Sequence, residues 1–163
     1  MGVARSKRRH GSKPTTSVRR AARPLNSTKS LKFNIDSDFT QGRGVQEKIL
    51  ALIEPCGYKH NALFAIKLAL DEALINAIKH GNKLDPAKKV HVEAKIDSKK
   101  VEIIIEDHGP GFKRNGVPDP TVGENLCKTT GRGILLMESY MSSVKWTKNG
   151  RRVHMIKLND NKK

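Results

Sequence analysis

The sequence predicts an α+β fold: a two-layer sandwich in which one mixed, mainly antiparallel sheet carries helices on one face. Two observations predict it. Five short segments have the alternation or the apolar content of strands, and three others repeat apolar residues at helical spacing. Their order is β-α-α-β-β-loop-α-β-β, which is typical of an α+β sandwich rather than of alternating strands and helices.

The first half of the chain predicts one strand and two helices. Residues 31–35 alternate apolar and polar side chains, as a half-buried strand does. Turn-forming residues occupy 36–44, and a first helix is expected over residues 45–54, where Pro55 and Gly57 stop it. A longer second helix is expected to begin at Asn61, a favourable N-cap, and to end at Gly81 and Asn82, which tolerate the left-handed conformation.

The second half predicts four strands and one short helix. Residues 90–96 alternate, and residues 101–105 are almost all apolar, as in a central strand. The loop over residues 109–131 is long enough to indicate a functional role. A helix is expected over residues 134–140. Strands at 144–147 and 153–158 form a hairpin around Asn149-Gly150, a strong hairpin signal.

The charge of the chain divides it into two parts. The 163 residues have a formal net charge of +16, yet residues 1–32 contain ten Lys or Arg and no Asp or Glu. Residues 1–30 have hardly any large apolar side chain, so we predict a disordered basic arm there and one folded domain over residues 31–160. The arm is either a solvated tail or a contact for nucleic acid, an acidic partner or anionic lipid.

Cysteine use and hydropathy predict a cytoplasmic location. Cys56 and Cys127 are far apart, and neither has a second thiol or a His at metal-ligand spacing, which predicts free thiols in a reducing compartment. No run of about 18 apolar residues predicts a membrane span. No apolar stretch follows the basic amino terminus, as one would in a secretory signal.

Three segments have residues suited to nucleotide chemistry, and the first lies on the second predicted helix. Glu72 and Asn76 are four residues apart and therefore share a helix face. A Glu can act as a general base, and an Asn oxygen suits a Mg²⁺ ion that keeps phosphate and water ligands. Lys79 lies one turn further on, at a distance suited to phosphate. Alone, this spacing is typical of any polar helix face.

The second segment, Asp107-His108-Gly109-Pro110-Gly111, directly follows the apolar strand. An Asp at the end of a strand can accept a hydrogen bond from an exocyclic amine such as that of adenine. Gly109 and Gly111 allow the backbone to approach a flat ligand closely. Alone, the same pattern is a common tight turn.

The third segment, Thr130-Gly131-Arg132-Gly133, opens the short helix after the long loop. Free backbone N–H groups and the positive end of the helix dipole make an anion site at such a point. The Gly-Lys-Ser/Thr ending of a Walker A loop is missing. Alone, Gly-x-Gly is weak evidence.

In this order and at these spacings, the three segments resemble the N, G1 and G2 boxes of the Bergerat (GHKL) ATPases, the superfamily of gyrase B, the Hsp90 chaperones, MutL and sensor histidine kinases. The resemblance covers about residues 31–158. It implies binding of ATP and Mg²⁺, with Asn76 on the metal and Asp107 on the adenine amine. It also implies a mobile ATP lid over residues 112–130 and a pocket shaped by Gly109, Gly111, Gly131 and Gly133.

Within this superfamily, the run from Asp71 to Asn82 and the run from Gly131 to Met137 are most similar to the RsbW-type serine kinases and anti-sigma factors. That similarity implies a Ser/Thr-protein kinase that phosphorylates a STAS-fold antagonist, binds a sigma factor and forms a homodimer. Glu72 would orient or deprotonate the partner's hydroxyl. The nucleotide would be contacted by Lys79, Thr130 and Arg132 as well.

Two other functions stay open at this point. One is an ATP-binding regulator that acts by binding a partner, without kinase activity. The other is a basic nucleic-acid-associated protein, and the basic arm is the only feature that supports it. The chain also departs from the family pattern at Ser142, Ser143 and Arg152, outside the three boxes, where partner contacts would be altered.

Overall fold

The computed structural model describes residues 27–111 and 132–161. Strand β1 (Lys29–Asp36) is followed by helix α1 (Phe39–Ile53), a 3-10 turn (Glu54–Cys56), helix α2 (His60–Ile75) and a π-helical turn (Asn76–Gly81). The remaining elements are β2 (Lys89–Ile96), β3 (Lys100–Glu106), α3 (Arg132–Tyr140), β4 (Ser143–Thr147) and β5 (Arg152–Leu158). The predicted order of strands and helices is confirmed.

The five strands form one sheet in the order β1-β2-β3-β5-β4, and each of these four pairings is antiparallel. Residues of the inner face, such as Val92, Ile103 and Met155, are fully buried in one core with residues of all three helices. The outer face carries cross-strand ion pairs, for example Lys32 with Glu93 at 3.2 Å. The predicted sandwich, with its helices on one face, is confirmed.

Helix α1 begins at Phe39, so the turn predicted over residues 36–44 is wrong from that residue onward. Asp38 caps the helix by accepting a hydrogen bond from the Gln41 N–H at 2.9 Å. Glycine favours turns, but a Cβ on Gly42 would lie 3.0 Å from Ile78 Cδ1. Close packing of α1 on the π-helical turn therefore requires a small residue there and outweighs its low helix propensity.

Helix α2 begins at His60 after Lys59, and no side chain caps it, so the prediction of Asn61 as the N-cap is wrong. At Asn76 the α-helix gives way to the π-helical turn, in which the Asn82 N–H donates to the Ala77 carbonyl at 2.8 Å. The predicted end at Gly81 is confirmed. The left-handed residues, however, are Lys83 and Leu84, both at φ 58°.

The side chain of Asn82 is fully buried and forms hydrogen bonds to three separate parts of the chain. Its Nδ2 donates to Ser37 Oγ at 2.8 Å and to the Lys89 carbonyl at 2.9 Å. Its Oδ1 accepts a hydrogen bond from the His108 N–H at 2.8 Å. Since buried amides are costly to leave unpaired, these bonds hold the loop after β3 against the end of the π-helical turn.

The carboxy-terminal hairpin is confirmed, with left-handed Lys148, Asn149 and Gly150 between β4 and β5. The predicted lid, most of the predicted arm and Cys127 lie outside the described residues, and β1 already begins at Lys29. The Cys56 thiol donates to the Leu52 carbonyl at 3.2 Å. Within residues 27–111 and 132–161, no helix is long and apolar enough to cross a bilayer.

Candidate functional site

A cavity of about 440 Å³ lies between the end of α2, the start of α3 and the adjoining ends of β3 and β5. Its volume is in the range of small-molecule sites. Side chains or backbone of six predicted site residues line it: Glu72, Asn76, Lys79, Asp107, Gly111 and Gly133. The fold thus brings residues of all three sequence segments to one place.

Two predicted site residues that the structure describes, Gly109 and Arg132, are not among those that line the cavity. Gly109 is buried next to Asp107, and its N–H donates to Asp107 Oδ1 at 2.7 Å. Arg132 is exposed at the first position of α3. Thr130 and Gly131 lie outside the described residues, so their roles stay predictions.

Asp107 presents a buried carboxylate where β3 ends, with 7% of its surface exposed. Its N–H donates to the Arg151 carbonyl at 3.0 Å, which ties it to the start of β5. Burial raises the pKa of the Asp107 carboxyl, against the opposing effects of the Gly109 N–H and the Arg151 charge. Within the described residues, Oδ2 has no hydrogen-bond partner and is available to a ligand donor.

The glycines near Asp107 permit contacts within the protein. A Cβ on Gly81 would lie 2.4 Å from Asp107 Cγ, and one on Gly109 would lie 2.0 Å from the Gly81 carbonyl oxygen. Gly111 has φ +80°, and a Cβ there would lie 2.1 Å from the Asn149 carbonyl oxygen. Gly81 and Gly109 therefore place Asp107 by close packing, whereas Gly111 packs against the β4–β5 hairpin. The sequence analysis expected these glycines to admit a ligand and did not predict these contacts within the protein.

Asn76 and Glu72 form the helical wall of the cavity. Asn76 Nδ2 is buried and has no hydrogen-bond partner among the described residues. A Cβ on Gly133 would lie 2.1 Å from Glu72 Oε2, so this carboxylate lies against the first turn of α3. Burial raises the pKa of the Glu72 carboxyl, and the neighbouring Asp71 adds to the effect.

The lining residues that the sequence analysis did not predict include Trp146 on β4 and Arg151, which directly precedes β5. The hairpin was predicted, but its position beside β3 requires the strand order. Arg152, which departs from the family pattern, lies on the outer face and pairs with Glu106 at 3.4 Å. Its neighbour Arg151 is the arginine that enters the cavity.

Comparison with known proteins assigns the family. The histidine kinase-like ATPase domain family matches residues 17–157, which is most of the chain. The chain therefore belongs to this family. The resemblance inferred from the three segments is confirmed at this level.

Individual relatives agree with that assignment. The chain is 30% identical over 95 residues to the serine-protein kinase RsbW of Listeria innocua and 32% over 97 residues to that of Bacillus licheniformis. It is 35% identical over 81 residues to the anti-sigma F factor of Clostridium perfringens. These matches cover 55%, 55% and 48% of this chain and 60%, 59% and 58% of the relatives, so the chain spans less than two thirds of their lengths.

A solved structure shows the same fold. It contains the RsbU and RsbW domains of a protein from Mycobacterium tuberculosis and matches with a TM-score of 0.55 at 16% identity. The match covers 80% of this chain and 32% of that chain. At this identity the likeness establishes the architecture alone.

Proposed function

We propose that the chain binds ATP with Mg²⁺ in this cavity and transfers the γ-phosphoryl group to a serine or threonine of a partner protein. The observation that supports the proposal is the convergence of Glu72, Asn76 and Asp107 on one cavity, in a chain of an ATPase-domain family. The names of the relatives, serine-protein kinase and anti-sigma F factor, support a regulator that phosphorylates a protein and binds a sigma factor. The resemblance of the three segments adds a STAS-fold antagonist as the substrate and a cytoplasmic location.

The residues present fit Mg²⁺ bound together with nucleotide. Within the described residues, no group of three or more His, Cys, Asp or Glu side chains could hold a metal ion on its own, in the absence of nucleotide. Mg²⁺ does not need such a group, because it commonly keeps water and phosphate oxygens beside one or two protein ligands. The amide of Asn76, whose Nδ2 has no hydrogen-bond partner among the described residues, can turn its oxygen inward and serve as that ligand. The ion would neutralise charge on the phosphates.

The two ends of the cavity suit the two ends of the nucleotide. Asp107, at the end of β3, would accept a hydrogen bond from the amine of the base. Lys79 and the first turn of α3 would lie near the phosphates, because an ammonium group and a helix N-terminus both favour anions. The nucleotide would therefore point its γ-phosphate toward Glu72 and Gly133.

Glu72 would accept the proton of the attacking hydroxyl. The serine oxygen forms a bond to the γ-phosphorus, the bond from that phosphorus to the β,γ-bridging oxygen breaks, and ADP leaves. The raised pKa of Glu72 suits this task, because a more basic carboxylate is a better proton acceptor.

Replacing Asp107 with Ala is expected to weaken ATP binding by about 10- to 100-fold, the usual loss for a hydrogen bond to a charged group. Calorimetry with Mg²⁺ would measure it. Trp146, the only tryptophan of the chain, lines the cavity and offers a fluorescence signal for the same titration. Asn76→Ala is expected to weaken binding in the presence of Mg²⁺.

Asp160→Ala is the matched control, because Asp160 is exposed and outside the cavity lining. It should leave the affinity unchanged. Equal affinity of the Asp107→Ala variant and the wild type would contradict the assignment of the base end. A folded wild type that binds no ATP would contradict the proposed function.

Replacing Glu72 with Gln is expected to lower phosphoryl transfer by at least about 100-fold while ATP affinity stays within about twofold, because only the base is removed. Transfer from γ-labelled ATP to STAS-fold proteins of the same organism would measure it. Glu47→Gln, at an exposed position of α1, is the control. Undiminished transfer in the Glu72→Gln variant would remove Glu72 as the base. ATP binding without transfer in the wild type would favour the non-kinase regulator.

The transfer rate should also depend on pH with a defined sign. Because the pKa of Glu72 is raised, its carboxylate becomes protonated at a higher pH than an ordinary glutamate does. The rate should therefore fall as the pH drops through that raised pKa, and recover as the pH increases again. A rate that stays constant down to the ordinary glutamate range would contradict this expectation.

A further inference from the structure

Arg151 and Asp107 are neighbours at the cavity-facing ends of two strands. Glu106 pairs with Arg152 in the β3–β5 register, and the Asp107 N–H donates to the Arg151 carbonyl at 3.0 Å. Side chains alternate along a strand, so residues 107 and 151 follow the inward direction of Ile105 and Val153. All four residues line the cavity.

The side chain of Arg151 is held in place but keeps donors free. Its Nε donates to the Lys148 carbonyl at 3.2 Å, within the hairpin turn. Its Cγ lies 3.2 Å from the point where a Cβ on Gly111 would be, so the glycine makes room for the stem. Neither terminal guanidinium nitrogen has a hydrogen-bond or ion-pair partner among the described residues.

These contacts place two complementary groups at neighbouring strand ends that line one cavity. The charge of Arg151 lowers the pKa of Asp107 against the larger effect of burial, so the two groups interact electrostatically. No ion pair within 4.0 Å joins them in the described part of the chain. A ligand in this cavity would therefore meet both an acceptor, the Asp107 carboxylate, and the donors of the Arg151 guanidinium.

We propose that Arg151 determines base specificity by allowing the cavity to accept guanine nucleotides as well as adenine nucleotides. This inference rests on the proposed function. The N1–H and the amine of guanine would donate to Asp107, while O6 and N7 would accept from the Arg151 fork, a pairing that arginine makes readily. A site with Asp107 alone would leave O6 without a donor, and unpaired polar groups are what reject a wrong ligand.

Adenine remains acceptable in the same cavity. Its amine would donate to Asp107, and a ring nitrogen would accept from Arg151. Both purines thus present a donor and an acceptor to the pair.

The test is titration of ATP and of GTP, each with Mg²⁺, into the wild type and into three variants: Arg151→Ala, Arg151→Lys and Arg152→Ala. Calorimetry and Trp146 fluorescence would give the two Kd values. The wild type should bind GTP within about tenfold of ATP. Arg151→Ala should raise the ratio of the GTP Kd to the ATP Kd by about 5- to 150-fold, the range of one bidentate pair.

The other two variants separate geometry from charge. Arg151→Lys keeps the charge but loses the fork, so it should also raise the ratio. If circular dichroism shows that the Arg151→Ala variant is not folded, the Arg151→Lys variant replaces it in the comparison. Arg152→Ala should leave the ratio unchanged, because Arg152 pairs with Glu106 on the outer face.

The inference and the proposed function fail in different ways. A wild type that binds ATP but binds GTP more than about 100-fold more weakly would overturn the inference alone. Equal changes of the ratio in the Arg151→Ala and Arg152→Ala variants would also overturn it. Absence of binding of both nucleotides to the folded wild type would overturn the proposed function and the inference with it.

Discussion

Replacing Gly109 with Ala is expected to destabilise the protein by about 3 kcal/mol and to abolish measurable nucleotide binding. The added Cβ would lie 2.0 Å from the Gly81 carbonyl oxygen and 2.8 Å from Asp107 Oδ1. The first of these atoms belongs to the backbone, so the chain itself must shift, as in other cases of overpacking. That shift moves Asp107, whose carboxylate is bound to the Gly109 N–H.

Thermal unfolding followed by circular dichroism would measure the loss of stability, expected as a fall of about 6 to 12 °C in Tm for a chain of this size. Calorimetry with ATP would measure binding. Gly44→Ala is the matched control, because no atom lies within 4 Å of a Cβ at this position of α1. Since alanine favours a helix, its Tm should stay the same or increase. Wild-type Tm and affinity in the Gly109→Ala variant would disprove the contact.

Replacing Asn82 with Ala should destabilise the protein by at least about 3 kcal/mol. The change leaves Ser37 Oγ, the Lys89 carbonyl and the His108 N–H without their shared partner, and each buried group left unpaired costs about 1 to 3 kcal/mol. Urea unfolding would measure the free energy of unfolding. ATP affinity should fall too, because His108 is the residue next to Asp107.

Asn61→Ala is the control for the Asn82→Ala variant. Asn61 is exposed in the first turn of α2 and does not cap that helix, so its replacement should change stability by less than about 0.5 kcal/mol. A loss near 1 kcal/mol there would restore Asn61 as a cap. An Asn82→Ala variant as stable as the wild type would show that the three hydrogen bonds are exchanged for water without cost.

Both stability predictions concern one junction, where the π-helical turn meets the loop after β3. Gly81 and Asn82 end the helical segment, and Gly109 and His108 lie on the facing loop. The position of Asp107 in the cavity depends on this junction. Substitutions there should therefore change stability and nucleotide affinity together, whereas Glu72→Gln and Arg151→Lys should change function with little effect on stability.

Local sequence patterns were sufficient to predict the secondary-structure elements that are determined by neighbouring residues. The alternation of β2 follows from burial on one face, and the hairpin around Asn149-Gly150 follows from residues that adopt left-handed backbone. Two of the failures, at the start of α1 and at the end of α2, have a different cause. Gly42 is helical because another segment packs on it, and Asn82 avoids the left-handed conformation because its side chain is buried between distant segments.

The sequence by itself determined the order of the strands and helices and the residue types for nucleotide chemistry, because these depend on neighbours within one turn or one strand. Glu72, Asn76 and Asp107 were therefore found as candidates before their positions were known. Only the tertiary structure decided which residues share the cavity. The pairing of β3 with β5 brings Arg151 beside Asp107 and turns Arg152 away, and contact between Gly81 and Gly109 places the carboxylate. Such contacts join residues far apart in the chain, so no local pattern contains them.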